Sequence, residues 1–219
     1  MHAVIFDMDG LMVDTENLHH ESFKKALERY GVRPIPNAQG VIHVSGVSAE
    51  ANWERFKKQY NFDADVVELT KIKHEIHLKL LQDKVEAMPG LFELLENLKK
   101  NGYKLAIASS SVRTQINLII DRLDIADFFD AITSGEEVTK GKPAPDIFLK
   151  AAAKLKTEPE ECIVLEDAMN GMKAAKAANM CTIVVPNKFT QHEDFTAANL
   201  VVSSLEEINS ERVAALITS

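Results

Sequence analysis

Cysteine is nearly missing from these 219 residues: Cys162 and Cys181 are the two present, each inside an apolar run, ECIVLED and MCTIVVP. That count and spacing exclude a disulfide framework and a cysteine-based metal site. Both are expected as buried, reduced thiols. Positive charge is also short, with 25 Lys and Arg against 33 Asp and Glu and a net charge of −8. Such a balance argues against a nucleic-acid partner. Any anionic ligand must then be met by positive charge gathered locally. No apolar run is long enough for a membrane span, so no membrane partner is expected. The amino terminus reads straight into a strand, without a basic leader and apolar stretch, and a cytoplasmic location is the expectation. No internal repeat or low-complexity segment is present.

What is there is an ordinary globular composition, 46% hydrophobic and 26% charged. Runs rich in Val, Ile and Ala (AVIFD, YKLAIAS, AITSG, CIVLED, CTIVVP and LVVS) read as strands apolar on both faces. Between them LFELLENLKKNG, SVRTQINLIIDRL, APDIFLKAAAKL and NGMKAAKAANM read as amphipathic helices. Strand–helix alternation of this kind predicts an α/β fold with a doubly wound parallel sheet. Residues 15–87 break the alternation: ENLHHESFKKALERYG, SAEANWERFKKQY and DADVVELTKIKHEIHLKLLQD are helical, with no convincing strand between them. They predict a helical domain inserted after the first strand, with residues 1–14 and 88–219 forming the core.

Chemistry concentrates where the strands end. The first strand stops at Asp7 and Asp9, followed by Gly10. Like charges that close raise each other's pKa, which gains nothing unless a cation or a reaction uses them. In open parallel sheets, ligands bind beyond the carboxyl ends of the strands. Ser109 in IASSS and Glu166 and Asp167 in CIVLEDAMNG fall at such ends, and Lys142 in TKGKPAPDIF follows another. Converging carboxylates suit a hard cation such as Mg²⁺. The glycines around GKPAP do not make a phosphate-cradling P-loop: Gly135 to Gly141 is one residue too wide, and Pro143 stands where Ser or Thr is required. His74 and His77 lack the spacing of a helical zinc motif and are expected on a solvated helix face. His19 and His20 are expected in surface or helix packing, and Trp53 in the core.

FDMDG, Ser109, Lys142 and LED ending at Asp167, in this order, resemble the four motifs of the haloacid-dehalogenase-like superfamily. The DxDGxxxDTE continuation, the helical insertion and GKPAPDIF resemble its β-phosphoglucomutase-like branch. The resemblance implies a Rossmann-like core with a helical cap. It also implies Asp7 as nucleophile, Asp9 as general acid and base, Ser109 and Lys142 around the transferring phosphoryl group, and Mg²⁺ held by Asp7, Asp9, Glu166 and Asp167. Ser110, Thr15 and Gly46 would meet the substrate.

The implied reaction is hydrolysis of a small phosphorylated metabolite, a sugar or polyol phosphate, by a monomeric Mg²⁺-dependent phosphatase. The alternative is a β-phosphoglucomutase-type mutase. Such mutases carry a Lys and an Arg around a GVS segment of the cap, where this chain has Ser45 and Ala49, and a further Lys where it has Val112. Lys57, Lys58, Lys71 and Lys73 on the insertion helices are the candidates to replace them. A phosphate-accepting receiver module is a third reading, opposed by a DxD on the first strand and by the insertion.

Overall fold

The computed structural model describes residues 2–37, 40, 42–44, 47–83 and 85–217. Six parallel strands form one sheet: β1 (Ala3–Phe6), β2 (Lys104–Ser109), β3 (Ala131–Ser134), β4 (Cys162–Glu166), β5 (Cys181–Val184) and β6 (Leu200–Val201). Their order is β3-β2-β1-β4-β5-β6, so the direction of winding reverses between β1 and β4. The register sets Phe6 beside Ile107 on one side and Leu165 on the other. The residues that follow these strands therefore emerge side by side.

The two-sided apolar runs are explained by two cores. Val4, Phe6, Leu105, Ile107, Ile163 and Leu165 project to one face. There they pack against α4 (Leu91–Lys100) and α5 (Arg113–Arg122). Ala3, Ile5, Ala106, Ala108 and Val164 project to the other, against α6 (Asp146–Leu155) and α7 (Met169–Ala177). Alternation along a strand sends neighbours to opposite faces, and both faces are covered by helices. The second core is built largely of alanine, including Ala151, Ala152, Ala174 and Ala175. Small side chains let these helices lie close on the sheet. Cys162 is buried here and Cys181 half-buried, both as free thiols.

Between β1 and α4 run three helices, α1 (Glu16–Glu28), α2 (Ala49–Tyr60) and α3 (Val66–Asp83). They enclose a third apolar cluster with Trp53, Phe56, Phe23, Leu27 and Leu69 at its centre, the core position expected for Trp53. The chain leaves and re-enters the sheet body at one place. Val13 bridges Ala87, and the Met88 amide donates to the Met12 carbonyl at 2.9 Å. One element escaped the sequence reading: α8 (Ser210–Ile217) closes the first core through Val213.

Candidate active site

β1 delivers Asp7 to the sheet edge, and Gly10 turns the chain at φ +87°. That conformation favours glycine. A Cβ here would also meet Asp167 Oδ2 at 2.5 Å. From the loop before α6, Lys142 reaches under the edge, fully buried. Its Nζ donates to Asp7 Oδ1 at 2.5 Å and to Glu166 Oε1 at 2.6 Å. The second oxygen of Glu166 accepts from the Asp167 and Ala168 amides at 2.9 and 3.0 Å. Asp167 Oδ2 accepts from Asn187 Nδ2 at 2.7 Å, and the same amide donates to the Gly10 carbonyl at 3.1 Å. Asn187 thus ties the loop after β5 to those after β1 and β4.

Three carboxylates and one ammonium leave this cluster with an excess of negative charge. Burial, then Glu166 and Asp9, push the Asp7 carboxyl up to about 8 against the pull of Lys142. Burial with Glu166 and Asp7 raises Asp167 well above the carboxylate range. Burial works against the Lys142 charge, but its two carboxylate partners overcome it and hold the ammonium charged. Oxygens of Asp7, Glu166 and Asp167 lie within 4.8 Å of one another. A buried, all-oxygen, charge-rich trio fits a hard divalent cation. A second group, Asp9 with His19 and His77, is equally close-set. There the rings of His19 and His77 stack, with centroids 4.0 Å apart. Both nitrogens of His19 are already engaged, one with Asp9 and one with Lys73.

Asp9 sits across the cleft floor and is saturated with donors. Oδ1 accepts from Thr15 Oγ1 at 2.6 Å and meets His19 Nε2 at 3.0 Å. Oδ2 accepts from Ser111 Oγ at 2.7 Å and Ser109 Oγ at 3.3 Å. Burial pushes the carboxyl up, but His19 and Thr15 outweigh it and keep Asp9 below its ordinary range. On the other side of His19, Nδ1 lies 2.8 Å from Lys73 Nζ. An ammonium only donates, so Nδ1 accepts and Nε2 carries the proton directed at Asp9. Burial brings Lys73 down to about 8 and, with Lys73 beside it, lowers His19.

Several of these groups line one cavity between the sheet edge and the inserted helices. Its walls include Asp7, Asp9, Ser109, Ser110, Lys73 and Gln115. Of the expected positions, Asp7, Asp9, Ser109, Lys142, Glu166 and Asp167 come together. Ser110 lines the cavity, Thr15 is buried with its hydroxyl on Asp9, and Gly46 and Ser45 lie outside the described residues. Two expectations are corrected: His74 lines the cavity and His77 is fully buried, so these α3 positions are not a solvated face. His19, expected in surface or helix packing, packs on His77 and also faces Asp9. Leu69, Lys73, His77 and Leu81 all lie on the buried stripe of α3. The signal was there: polar residues at i, i+4 spacing inside an apolar stripe. Ser111, Asn187, Gln115 and the buried His43–Glu16 pair (2.7 Å) were not singled out from the sequence.

A family model described as haloacid dehalogenase-like hydrolase matches residues 4–185. The chain belongs to this family. Hexitol phosphatase B of Escherichia coli O157:H7 is 33% identical over 218 residues, covering 95% of each chain. A phosphorylated carbohydrates phosphatase of Thermotoga maritima is 32% identical over 191 residues, 82% of each. Among solved structures, a β-phosphoglucomutase of Clostridium difficile superposes with a TM-score of 0.87 at 29% identity, covering 100% of this chain and 97% of that one. Family membership accounts for the sheet order and for the cluster at its switch point.

Proposed function

We propose that the protein is a Mg²⁺-dependent phosphatase acting on a monophosphorylated sugar or polyol, with Asp7 as nucleophile. The observation that carries this is the pairing of two unlike carboxylates: Asp7, buried against Lys142, and Asp9, ringed by four donors. An Asp7 oxygen forms a bond to phosphorus as the bond to the leaving oxygen breaks, giving an aspartyl-phosphate. Asp9 gives a proton to the leaving alkoxide, then takes one from the water that hydrolyses the aspartyl-phosphate. Its four donors favour the carboxylate needed for the second step. For the first, the arriving phosphoryl oxygens draw Ser109 and Ser111 away and bring negative charge close, and both changes raise the Asp9 pKa.

Asp7, Glu166, Asp167 and the main chain of Asp9 would hold the cation, which supplies charge neutralisation at the phosphoryl oxygens. Residues 15–87 form the cap in this reading, hinged where Val13 meets Ala87. A monomer in the cytoplasm completes it. The deciding experiment is a panel of phosphorylated metabolites assayed for phosphate release with and without Mg²⁺, with isomerisation of β-glucose 1-phosphate followed beside it. Mg²⁺-dependent release from a hexitol or hexose phosphate is expected. No release from any phosphomonoester would end the proposal.

A further inference from the structure

Gln115 stands third in α5, directly behind the serine loop, and is 1% exposed. Its side chain lines the catalytic cavity beside Asp9, Ser109 and Ser111. Neither Oε1 nor Nε2 has a hydrogen-bond partner in the protein. Buried polar groups are almost always paired, because an amide withdrawn from water without a partner is costly. The hydroxyls that crowd Asp9 are committed to it, and Gln115 bonds none of the cavity serines, Ser110 included. Ser109 and Ser111 donate to Asp9, and Thr15 does the same from the cap side. The Arg113 guanidinium in the same turn is turned away to the Ile132 carbonyl and to Glu137. Gln115 is therefore a donor and an acceptor, held in place by burial and committed to nothing in the chain.

We infer that Gln115 is a specificity-determining substrate contact, its amide hydrogen-bonding a hydroxyl of the leaving group close to the phosphoester. The inference rests on the phosphatase reading and names the residue by which the site would recognise a polyhydroxylated leaving group. A hydroxyl both donates and accepts, which matches the two ends of a primary amide. A second anionic group fits poorly, since Oε1 can only accept. Opposite, the inserted helices present the Glu16-bound His43 to the same cavity, while Asn52 is bound to the Val44 and Ser48 backbone and Lys73 to His19. A site built to pair a substrate hydroxyl discriminates strongly against an analogue lacking it.

The test compares Gln115→Met, close in size but without the amide, with wild type on a hexitol 6-phosphate and on p-nitrophenyl phosphate, whose leaving group has no hydroxyl. The expected loss in kcat/KM is at least tenfold larger for the hexitol phosphate than for the aryl phosphate, carried mainly by KM. Thermal melting of the free protein gives an independent reading. Removing two unpartnered polar atoms should leave Tm equal or higher. Equal losses on both substrates together with a lower Tm would assign Gln115 to the fold and overturn the inference. Equal kcat/KM for variant and wild type on the hexitol phosphate would overturn it as well. In both cases wild-type turnover of the aryl phosphate leaves the phosphatase reading standing. Absence of wild-type release from every phosphomonoester of the panel sinks that reading, and this inference falls with it.

Discussion

Asp7 and Asp9 stand two positions apart, yet their surroundings drive their proton affinities in opposite directions. Asp7 has one donor, Lys142, and is surrounded by carboxylates, while Asp9 accepts from four side chains. The consequence for Asp7 is direct. Asn at this position keeps the shape and removes the oxygen that attacks phosphorus in the proposed reaction, so Asp7→Asn should cut turnover at least about a thousandfold with the fold intact. Retention of activity within tenfold of wild type would remove Asp7 from this role. The raised proton affinity also predicts how stability follows pH. With Asp7 at about 8 when folded and near 4 when unfolded, the native state holds the extra proton across that window. Stability then falls as pH rises through it. The buried histidines act oppositely, since His74 is brought down to about 3 and His77 is also lowered. Their effect is complete once the unfolded histidines lose their protons near pH 6.5. Between about pH 6.5 and 8 the carboxylates are left in control. Cation-free protein should lose up to about 2 kcal/mol per carboxylate across that span, and added Mg²⁺ should remove the slope. Denaturant melts at both pH values, with and without Mg²⁺, check this. A flat cation-free profile would contradict the assignment of Asp7.

At the scale of elements, the site is held by close approach of backbone and carboxylate. In the first turn of α7, a Cβ on Gly171 would fall 1.7 Å from Glu166 Oε1, the oxygen bound to Lys142. Neither can yield cheaply, because Glu166 is buried and its other oxygen is fixed by two amides. Gly171→Ala should therefore displace Glu166 or tilt the helix, leave Lys142 short of a partner, and destabilise by roughly 3–5 kcal/mol. Turnover should fall with it. A variant as stable and active as wild type would show that α7 is not pressed against the carboxylate. How much of this was legible differs from element to element. The strands and flanking helices were readable because each strand buries both faces and each helix one, so apolar pattern and position agree. The motif residues were readable because strand ends carry them to one edge. Lys73 and His77 were readable as polar residues on the buried stripe of α3 but not as neighbours of Asp9, since the pattern gives the stripe and not what it meets. Asn187 was missed because a loop asparagine carries no periodic signal. Gln115 was missed because burial of a polar helix residue depends on the cap lying above it.

Across the molecule, among the described residues, one lysine of the inserted helices and no arginine lines the cavity at the sheet edge, a count that favours hydrolysis over phosphoryl relocation. A mutase must hold a doubly phosphorylated intermediate at both ends, which calls for positive charge far from Asp7. Of the candidates on the inserted helices, Lys58 and Lys71 are exposed and Lys57 donates to the Ala64 carbonyl at 2.7 Å. Only Lys73 reaches the cavity, and its ammonium is engaged with His19. Ala49 lines both the catalytic cavity and its outer extension, where Val112 joins Glu50 and Glu136. Among the described residues, that extension has no lysine or arginine in its walls. Arg113, next to Val112, is bound to Glu137 and the Ile132 carbonyl. A charge-assisted hydrogen bond to phosphate contributes about 1.5–3 kcal/mol. Two or three fewer weaken the grip on a distal phosphate by roughly two to six orders of magnitude. Glu50 and Glu136 add repulsion. The prediction is that phosphate release from a hexitol phosphate exceeds conversion of β-glucose 1-phosphate to glucose 6-phosphate. A sugar bisphosphate should likewise inhibit more weakly than the matching monophosphate. Ala49→Arg should narrow that gap, since it restores a cation at the cap position where the mutases carry one. Isomerisation outpacing phosphate release from every monophosphate tested would make the protein a mutase, with its distal phosphate held by charges other than those that line the cleft here.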